Sequence, residues 1–347
     1  MNFPADRKLS NFIAEGIQMT KQRKWLKGDT HLHTTNSDGN LTTAELIKEC
    51  RRKGLDWAII TDHNFSTVLN PYYVGGLLVI QGQEVTAKPG HVNMWGAKLP
   101  FSAPYTLESF DDYINIINEG KAAGATISVN HPFCKKCGWH LPLEGFPMDC
   151  VELWNAPMHI DNMTNIKWWH NELLKGRRIG AVGGSDYHKD YYNVTSLVAM
   201  PTTICYAKSN TQEDILEALR NGNSVITQGP DKTMLYLTCG NAVIGETVQW
   251  SEGIKVDIKA VKLKKGHRLV VYNNDTVIYN YKAKSFGSHH AELEVQEKGF
   301  VRAEVLYEFK SVSKKIYGKV IEKIMPKDVG IPVPPFAYCL TNPIFFE

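Results

Sequence analysis

Histidine, aspartate and glutamate recur at the ends of short apolar runs in this chain, a placement suited to holding metal ions. The segment Gly28-Asp29-Thr30-His31-Leu32-His33-Thr34-Thr35-Asn36-Ser37-Asp38-Gly39 follows the apolar pair Trp25-Leu26. Residues two apart in a strand share a face. His31 and His33 can therefore present two imidazoles to one point, and two neutral nitrogens so placed can hold a transition metal. A lone His-x-His is a weak motif, and a pair of ordinary strand histidines accounts for it as well. Four further runs add weight. Trp57-Ala58-Ile59-Ile60-Thr61 ends in Asp62-His63-Asn64, and Leu77-Leu78-Val79-Ile80 runs into Gln81-Gly82-Gln83-Glu84. Ala125-Thr126-Ile127-Ser128-Val129 ends in Asn130-His131-Pro132, and Ile179-Gly180-Ala181-Val182 in Gly183-Gly184-Ser185-Asp186-Tyr187-His188. Buried parallel strands read as short apolar runs. In a βα barrel, catalytic groups project from several strand ends toward one mouth. Five such ends are hard to explain by chance.

The elements between these runs fit that arrangement. Thr42-Thr43-Ala44-Glu45 reads as a capping box, opening a helix through Leu46, Ile47 and Cys50 that stops near Lys53-Gly54. Ser109 to Ala123, Thr164 to Lys175 and Thr211 to Arg220 read as further helices, the first two ending at Gly124 and Gly176 before apolar runs. This β-loop-α-loop-β rhythm predicts a parallel sheet with an outer layer of helices. Beyond Gly229-Pro230 the rhythm changes. Short alternating runs, such as Ile254-Lys255-Val256-Asp257-Ile258 and Arg268-Leu269-Val270-Val271-Tyr272, follow one another without helices. They predict antiparallel β-structure, a sandwich. The expected divisions are a lead-in over residues 1–23, a barrel unit over 24–230 and an all-β unit over 231–347. His289-His290 reads as an exposed pair.

The order and spelling of the metal-type segments resemble the PHP (polymerase and histidinol phosphatase) superfamily of metal-dependent hydrolases. The resemblance runs from about Lys24 to Pro230. It is carried by Gly-Asp-Thr-His-Leu-His, Ile-Thr-Asp-His-Asn, Gly-Gln-Glu, Asn-His-Pro and Gly-Ser-Asp-Tyr-His, in that order. Thr-Asn-Ser-Asp-Gly, Gln-Glu-Val-Thr-Ala-Lys-Pro-Gly-His-Val-Asn, Val-Glu-Leu-Trp-Asn and the ending Leu-Thr-Asn-Pro-Ile-Phe-Phe-Glu resemble the CehA/McbA branch. The resemblance implies a distorted (β/α)7 barrel, followed here by the antiparallel β-sandwich-like unit. It also implies two or three divalent ions, zinc, manganese or iron. His31, His33, Glu84 and Asp186 would surround the first. Glu84 would bridge to a second, completed by His131 and by His91, with His91 the expectation over Asn93 or a residue outside the ligand set. Asp38, His63 and His188 would hold a third. Many relatives have histidine where this chain has Asp38, so occupancy by two ions is compatible with the set.

Other residues stand near these. Asp62 is expected to orient a ligand imidazole or neighbouring backbone, or to be a turn aspartate. Asn155 could contact substrate or form a turn. Cys134-Lys135-Lys136-Cys137 with His140 reads as a plain loop, with an accessory metal site or a redox pair as alternatives. Lys135, Lys136, Arg177 and Lys189 are candidate phosphate contacts near mouth segments, against the plain alternative of solvated surface charges. Trp139, Trp154 and Phe133 would suit an aryl group, or belong to the core.

Composition narrows the classes. A net charge of +3 over 347 residues argues against a general nucleic-acid or membrane surface. No run approaches the roughly twenty apolar residues of a membrane span. The start lacks the apolar stretch of a secretory signal, and seven scattered cysteines suit a reducing compartment, so the expected location is cytoplasmic, a removed leader left open. The sequence contains neither a Gly-x-Ser-x-Gly elbow nor a Walker loop. The expected function is metal-dependent phosphoester hydrolysis of a small phosphomonoester or nucleotide through a metal-bound hydroxide. His63, His188 and Asp62 would assist catalysis, and Lys135, Asn155 and Arg177 would contact substrate. Hydrolysis of a carboxyl or carbamate ester is the alternative. An inactive metal-binding barrel with an interaction role is a third. Oligomeric state is not legible in the sequence.

Overall fold

The structure is a computed structural model describing residues 23–97, 107–156, 159, 161–190, 196–307 and 336–347. All but Arg23 of the expected lead-in lies outside the described residues. Strands β1 (Lys24–Asp29), β2 (Trp57–Ile60), the short β3 (Tyr72–Val74) and β4 (Leu77–Ala87) open the sheet, with β1, β2 and β4 mutually parallel in that order. Between β1 and β2 lies helix α1 (Thr43–Arg52). Thr42 Oγ1 accepts the Glu45 backbone N–H (3.3 Å), and the Glu45 carboxylate accepts the Thr42 N–H (2.9 Å), completing the capping box. The buried face of α1, Leu46, Ile47 and Cys50, packs on Ala58, Ile60, Leu77 and Val79. After Lys53, Gly54 at φ 70° turns the chain out of the helix.

The next strand departs from the expected parallel order. β5 (Gly90–Trp95) follows β4 across only Lys88-Pro89, and so short a link must return antiparallel. Its register sets Glu84 opposite Asn93 and Thr86 opposite His91. β5 then pairs antiparallel with β6 (Thr126–Val129), which runs parallel to β7 (Cys150–Asn155) and β8 (Gly180–Gly184). On the other flank, β9 (Thr202–Ala207) is antiparallel to β1, and β10 (Ser224–Thr227) is antiparallel to β9. Following these pairings, β1, β2, β4, β6, β7 and β8 all point the same way. Helices α2 (Phe110–Ala122), α3 (Asn162–Leu174) and α4 (Gln212–Arg220) precede β6, β8 and β10, each within two residues of its expected bounds.

The outer edge of β8 is met by side chains. Thr203 Oγ1 accepts the Gly183 N–H (2.9 Å) and donates to the Gly183 carbonyl (2.7 Å). The Asn342 carboxamide accepts the Ala181 N–H (2.8 Å) and donates to the carbonyls of Ala181 (2.9 Å) and Ser224 (3.0 Å). One side chain thus stands in for a strand between β8 and β10.

The remaining strands are β11 (Met234–Cys239), β12 (Ala242–Val243), β13 (Thr247–Val248), β14 (Lys255–Leu263), β15 (His267–Asn273), β16 (Thr276–Lys282), β17 (Gly287–Glu294), β18 (Gly299–Tyr307), β19 (Phe336–Thr341) and β20 (Ile344–Phe346). β11, β12, β14 and β17 form a separate four-stranded sheet. β19 pairs with β10, and β18, β15, β16, β20 and β13 continue from it. Strands β13, β15, β16, β18, β19 and β20 are therefore hydrogen-bonded into the main sheet, whereas β11, β12, β14 and β17 are not. Leu235, Leu237, Val256 and Ile258 from the second sheet share one apolar layer with Leu269, Val301 and Val305 of that extension. No described helix is long and apolar enough to cross a membrane.

Candidate metal centre

The shared direction of six strands carries their following residues to one side of the sheet. Glu84, on β4, is fully buried there, and its two oxygens are divided among five imidazoles. Oε1 lies 3.3 Å from His31 Nε2, 3.1 Å from His91 Nδ1 and 3.6 Å from His131 Nε2. Oε2 lies 2.7 Å from His63 Nδ1 and 3.6 Å from His33 Nε2. Asp186, just past β8, places Oδ1 3.3 Å from His31 Nε2, 3.2 Å from His33 Nε2 and 3.4 Å from His188 Nδ1. Farther out, Asp38 Oδ1 sits 3.4 Å from His63 Nε2 and 3.2 Å from His188 Nε2, and those two nitrogens are 3.5 Å apart.

Among the described residues four groups have donor atoms mutually within 4.8 Å: His31, His33 and Glu84; Glu84, His91 and His131; His33, Asp38, His63 and His188; and His131, Cys134 and Cys137. Every residue expected as a ligand is gathered in this cluster. Asp186 belongs to it through its contacts with His31 and His33. Asn93, the alternative to His91, has its amide N–H₂ turned toward the Thr30 carbonyl (3.5 Å).

The fit to a cation rests on two atoms. His31 Nε2 and His33 Nε2 are buried without a hydrogen-bond partner, although carboxylate oxygens stand 3.2–3.6 Å away. Their other nitrogens are engaged. His31 Nδ1 is 3.0 Å from Glu152 Oε1, and His33 Nδ1 is 3.5 Å from Ser37 Oγ. Such a partner on one imidazole nitrogen turns the other toward a metal. Imidazole and carboxylate donors suit zinc, manganese or iron.

Burial and charge act against each other here. Burial pushes His33 down to about 4, leaving a neutral donor. Burial also opposes charge on His31, yet Asp186, Glu152 and Glu84 raise it well above the usual imidazole range. His131 is likewise raised to about 9, against burial, by Glu84 and the Asp186 and Glu152 charges. Burial would raise Glu84 and Asp186, but the surrounding imidazoles hold both well below the usual carboxylate range. The chain itself is held in an uncommon backbone conformation. His131 (φ 28°) and Asp186 (φ 49°) both lie in the left-handed region, sparsely used by non-glycine residues.

Several residues not singled out as site residues support the cluster. Glu152 holds His31 Nδ1 with one oxygen and the His131 backbone N–H (3.2 Å) with the other. A glutamate inside the apolar run Val151-Glu152-Leu153-Trp154 was the signal for it. Asn130 Nδ2 donates to Glu84 Oε1 (2.8 Å), and Thr86 Oγ1 contacts His63 Nδ1 (2.6 Å). Asp29 accepts the backbone N–H groups of His31 (3.2 Å), Ser185 (3.0 Å) and Ala199 (2.8 Å), tying β1 to the loop after β8.

Asp62, Arg177 and the two tryptophans fall to the structural side of the readings left open for them. Asp62, placed with the catalytic residues, has its carboxylate filled by Thr34 N–H (2.7 Å), Thr34 Oγ1 (2.7 Å), Ser37 Oγ (2.7 Å) and Thr67 Oγ1. It fixes the loop that carries Asp38. Arg177 precedes β8, whereas Asp186 follows it, so the strand separates them. Its guanidinium pairs with Glu172 (2.7 Å) and donates to the Leu143 carbonyl (3.3 Å). Trp139 and Trp154 are core residues. Trp139 packs edge-on against Tyr113 and Phe146, and Trp154 is fully buried.

The other candidates stand as follows. Asn155 Nδ2 donates to Asp186 Oδ2 (3.1 Å) and Glu152 Oε2 (3.0 Å), holding two site carboxylates. Lys135 and Lys136 are exposed on the loop after His131, Lys189 is exposed after His188, and Phe133 is partly buried against Trp168. His140 is exposed, and Cys137 lies instead beside His131. His289 stacks on Tyr281, and His290 pairs with Asp257.

No protein-family model matches the chain, and no curated protein matches it. Among solved structures, it is similar to a two-domain protein from Bacteroides vulgatus containing a predicted PHP-like metal-dependent phosphoesterase. The identity is 21% and the TM-score 0.49, over 83% of this chain and 93% of that one. A candidate metal-dependent phosphoesterase from Bifidobacterium adolescentis shares 16% identity at a TM-score of 0.35, over 49% of this chain and 92% of that one. An amidohydrolase from Chromobacterium violaceum, with bound sulfate and no metal, shares 15% at 0.34, over 46% and 87%.

Proposed function

We propose that this chain is a metal-dependent hydrolase of the PHP type, its mixed sheet a distorted barrel, acting on a small phosphomonoester or nucleotide. The observation that carries this is Glu84, one buried carboxylate shared between imidazole groups in which His31 Nε2 and His33 Nε2 lack a hydrogen-bond partner. His31, His33, Glu84 and Asp186 would hold one ion, and Glu84, His91 and His131 a second, of zinc, manganese or iron. Such ions supply Lewis acidity toward a phosphoryl oxygen and make water acidic enough to ionise near neutral pH.

The protein's own groups then have distinct tasks. His63 and His188 stand at the outer rim, partly exposed, with Asp38 between them. His188 Nδ1 donates to the Asp186 carbonyl (2.9 Å), which leaves Nε2 facing outward. With two ions bound, this pair is placed to give a proton to a leaving oxygen. Asp62 positions the Asp38 loop, and Asn155 positions Asp186. Lys135 and Lys136, exposed beside His131, would attract an anion. The burial of Trp139 and Trp154 favours phosphate over an aryl carboxyl ester, because neither ring is available to a substrate. The segment 24–230 would carry the site, and the all-β part would form one wall or a partner surface.

The test is a panel of aryl phosphates, nucleoside monophosphates and aryl carboxyl esters, assayed after metal stripping and after reloading with zinc, manganese or iron. Phosphomonoester turnover that vanishes on stripping and returns on reloading is expected. Turnover of uncharged esters alone would overturn the substrate class. No turnover anywhere, with ions bound, would overturn the enzyme.

A further inference from the structure

Cys134 and Cys137 lie in the loop that His131 opens, and the proposed reaction does not use them. Both are free thiols, with Sγ atoms 2.8 Å apart. Cys134 Sγ also accepts the Cys137 backbone N–H (3.4 Å), closing a tight turn. Gly138 makes that turn possible, since a Cβ there would stand 2.2 Å from the Cys134 carbonyl oxygen. Cys134 is buried and Cys137 partly exposed, so a small oxidant can reach the pair. Cys137 Sγ lies 3.7 Å from His131 Nδ1, while His131 Nε2 faces Glu84 Oε1 at 3.6 Å. One imidazole therefore joins the thiol pair to the centre of the cluster.

We propose that Cys134 and Cys137 form a reversible disulfide switch that sets how tightly His131 holds a metal ion. The ligand role of His131 rests on the function proposed above. The oxidant is hydrogen peroxide or a small disulfide. The thiolate of one cysteine attacks it, breaking its O–O or S–S bond, and the other cysteine then attacks that sulfur and expels the attached group as water or a thiol. Two S–H bonds are lost and one S–S bond forms. The two electrons and two protons leave in two waters from peroxide, or in two thiols from a small disulfide. A histidine bound through Nε2 keeps its proton on Nδ1, and an acceptor there strengthens it as a ligand. The Cys137 sulfur is that acceptor when reduced and a poorer one within a disulfide. Oxidation should therefore weaken one bound ion about tenfold, the lower end for loss of such a partner. An ion clasped by both thiolates is the rival occupant. His131 Nδ1 lies on that side, its atom and the two sulfurs all within 4.8 Å of one another, but tetrahedral bonds of about 2.3 Å would hold the sulfurs roughly 3.8 Å apart, wider than the 2.8 Å at which they stand.

The experiment compares the full chain with Cys134→Ser, which keeps Cys137 beside His131 but cannot form the bond. Each is treated with peroxide, alkylated after unfolding and mapped by mass spectrometry. Zinc affinity is measured in parallel by chelator competition. The wild-type chain should yield a Cys134–Cys137 disulfide that a dithiol reverses, with one zinc about tenfold weaker while oxidised. Cys134→Ser should match the reduced wild-type affinity before and after peroxide. The proposal is overturned if both thiols stay alkylatable, or if the disulfide forms and zinc affinity does not move. It is also overturned if purified protein carries a zinc released only by thiol-blocking reagents. If neither redox state binds zinc, the proposed function fails with the switch. If both bind it equally, the switch alone fails.

Discussion

Glu84→Gln should erase two metal-induced stabilisations at once, because a single carboxylate serves two donor groups. Glutamine matches the volume but replaces one oxygen with an amide nitrogen that cannot bind a cation. The lost charge faces His31, His91 and His131 through one oxygen and His63 and His33 through the other. An ion supplied at one hundred times its dissociation constant stabilises the fold by about 2.7 kcal/mol. Unfolding entropy of about 2.1 cal/mol/K per residue, over 347 residues, comes to roughly 0.7 kcal/mol/K. Each ion should then raise the melting temperature by about 4 °C, and the two that share Glu84 by about 7 °C together. Asp38→Asn touches only the outer group with His63 and His188, and should leave both increments standing. The assay is calorimetric melting against zinc or manganese, with bound metal counted by elemental analysis. Each variant is referred to its own metal-free melting point, which removes any effect on the bare fold. Retention of either increment in Glu84→Gln would refute the shared-carboxylate argument. Loss of all metal response in Asp38→Asn would refute the division into inner and outer groups.

Arg177→Ala should change kcat/KM less than twofold while lowering stability by about 1 kcal/mol, since its partners are Glu172 and the Leu143 carbonyl. Steady-state kinetics and urea unfolding measure the two effects, and a large loss of kcat/KM would put Arg177 back at the mouth. Arg302→Ala should cost about 3–5 kcal/mol, because it strands the buried Glu304 carboxylate 2.7 Å from the lost guanidinium. Denaturant unfolding gives that number, and a cost under 1 kcal/mol would mean Glu304 is hydrated. Burial, helped by Lys264, lowers His267 to about 4, so its neutral form is the folded one. The unfolded chain binds that proton near pH 6.5, so stability from this residue is complete above that value. It is lost as pH falls toward 4, by up to about 3 kcal/mol at 1.36 kcal/mol per pH unit. His267→Gln should flatten that part of the stability curve, and an unchanged slope between pH 6.5 and 4 would sink the argument.

The ligand types were legible because each sits at a strand end whose apolar run announces it. His31, His63, Glu84, His131 and Asp186 all follow or close such runs, and the common strand direction does the rest. The hairpin that delivers His91 was less legible. Lys88-Pro89 gives no apolar contrast, yet its shortness alone forces the antiparallel return that brings His91 back beside Glu84. Arg177 was misplaced because charge near a strand says nothing about which end of the strand it occupies. Trp139 and Trp154 stood open between an aryl contact and the core, and sequence proximity to His131 and Asn155 could not decide it: both rings pack in the apolar core, Trp139 from a loop and Trp154 from β7. Glu152 and Asn130 were passed over since their value lies in what they touch, the far nitrogen of His31 and an oxygen of Glu84, and partners remote in sequence leave no local trace. The Asn342 bridge between β8 and β10 belongs to the same class, reaching across 161 residues to Ala181.

A structural role for the cluster would make a different demand on these side chains. A buried network that serves only to hold the fold together gains by pairing every donor and acceptor, because each unpaired buried group costs about 1–3 kcal/mol. Glu152 and Asp62 meet that demand, both oxygens of each carboxylate being bonded. The inner nitrogens of His31 and His33 do not, although Glu84 and Asp186 stand close enough to serve them with a small rotation. His131 and Asp186 are held besides in left-handed backbone, a conformation that costs about 1–3 kcal/mol each in non-glycine residues. Outer nitrogens that are bonded, with inner nitrogens left without a partner, are what the proposed metal function asks of these two imidazoles: the partner on one nitrogen aims the other at a shared point.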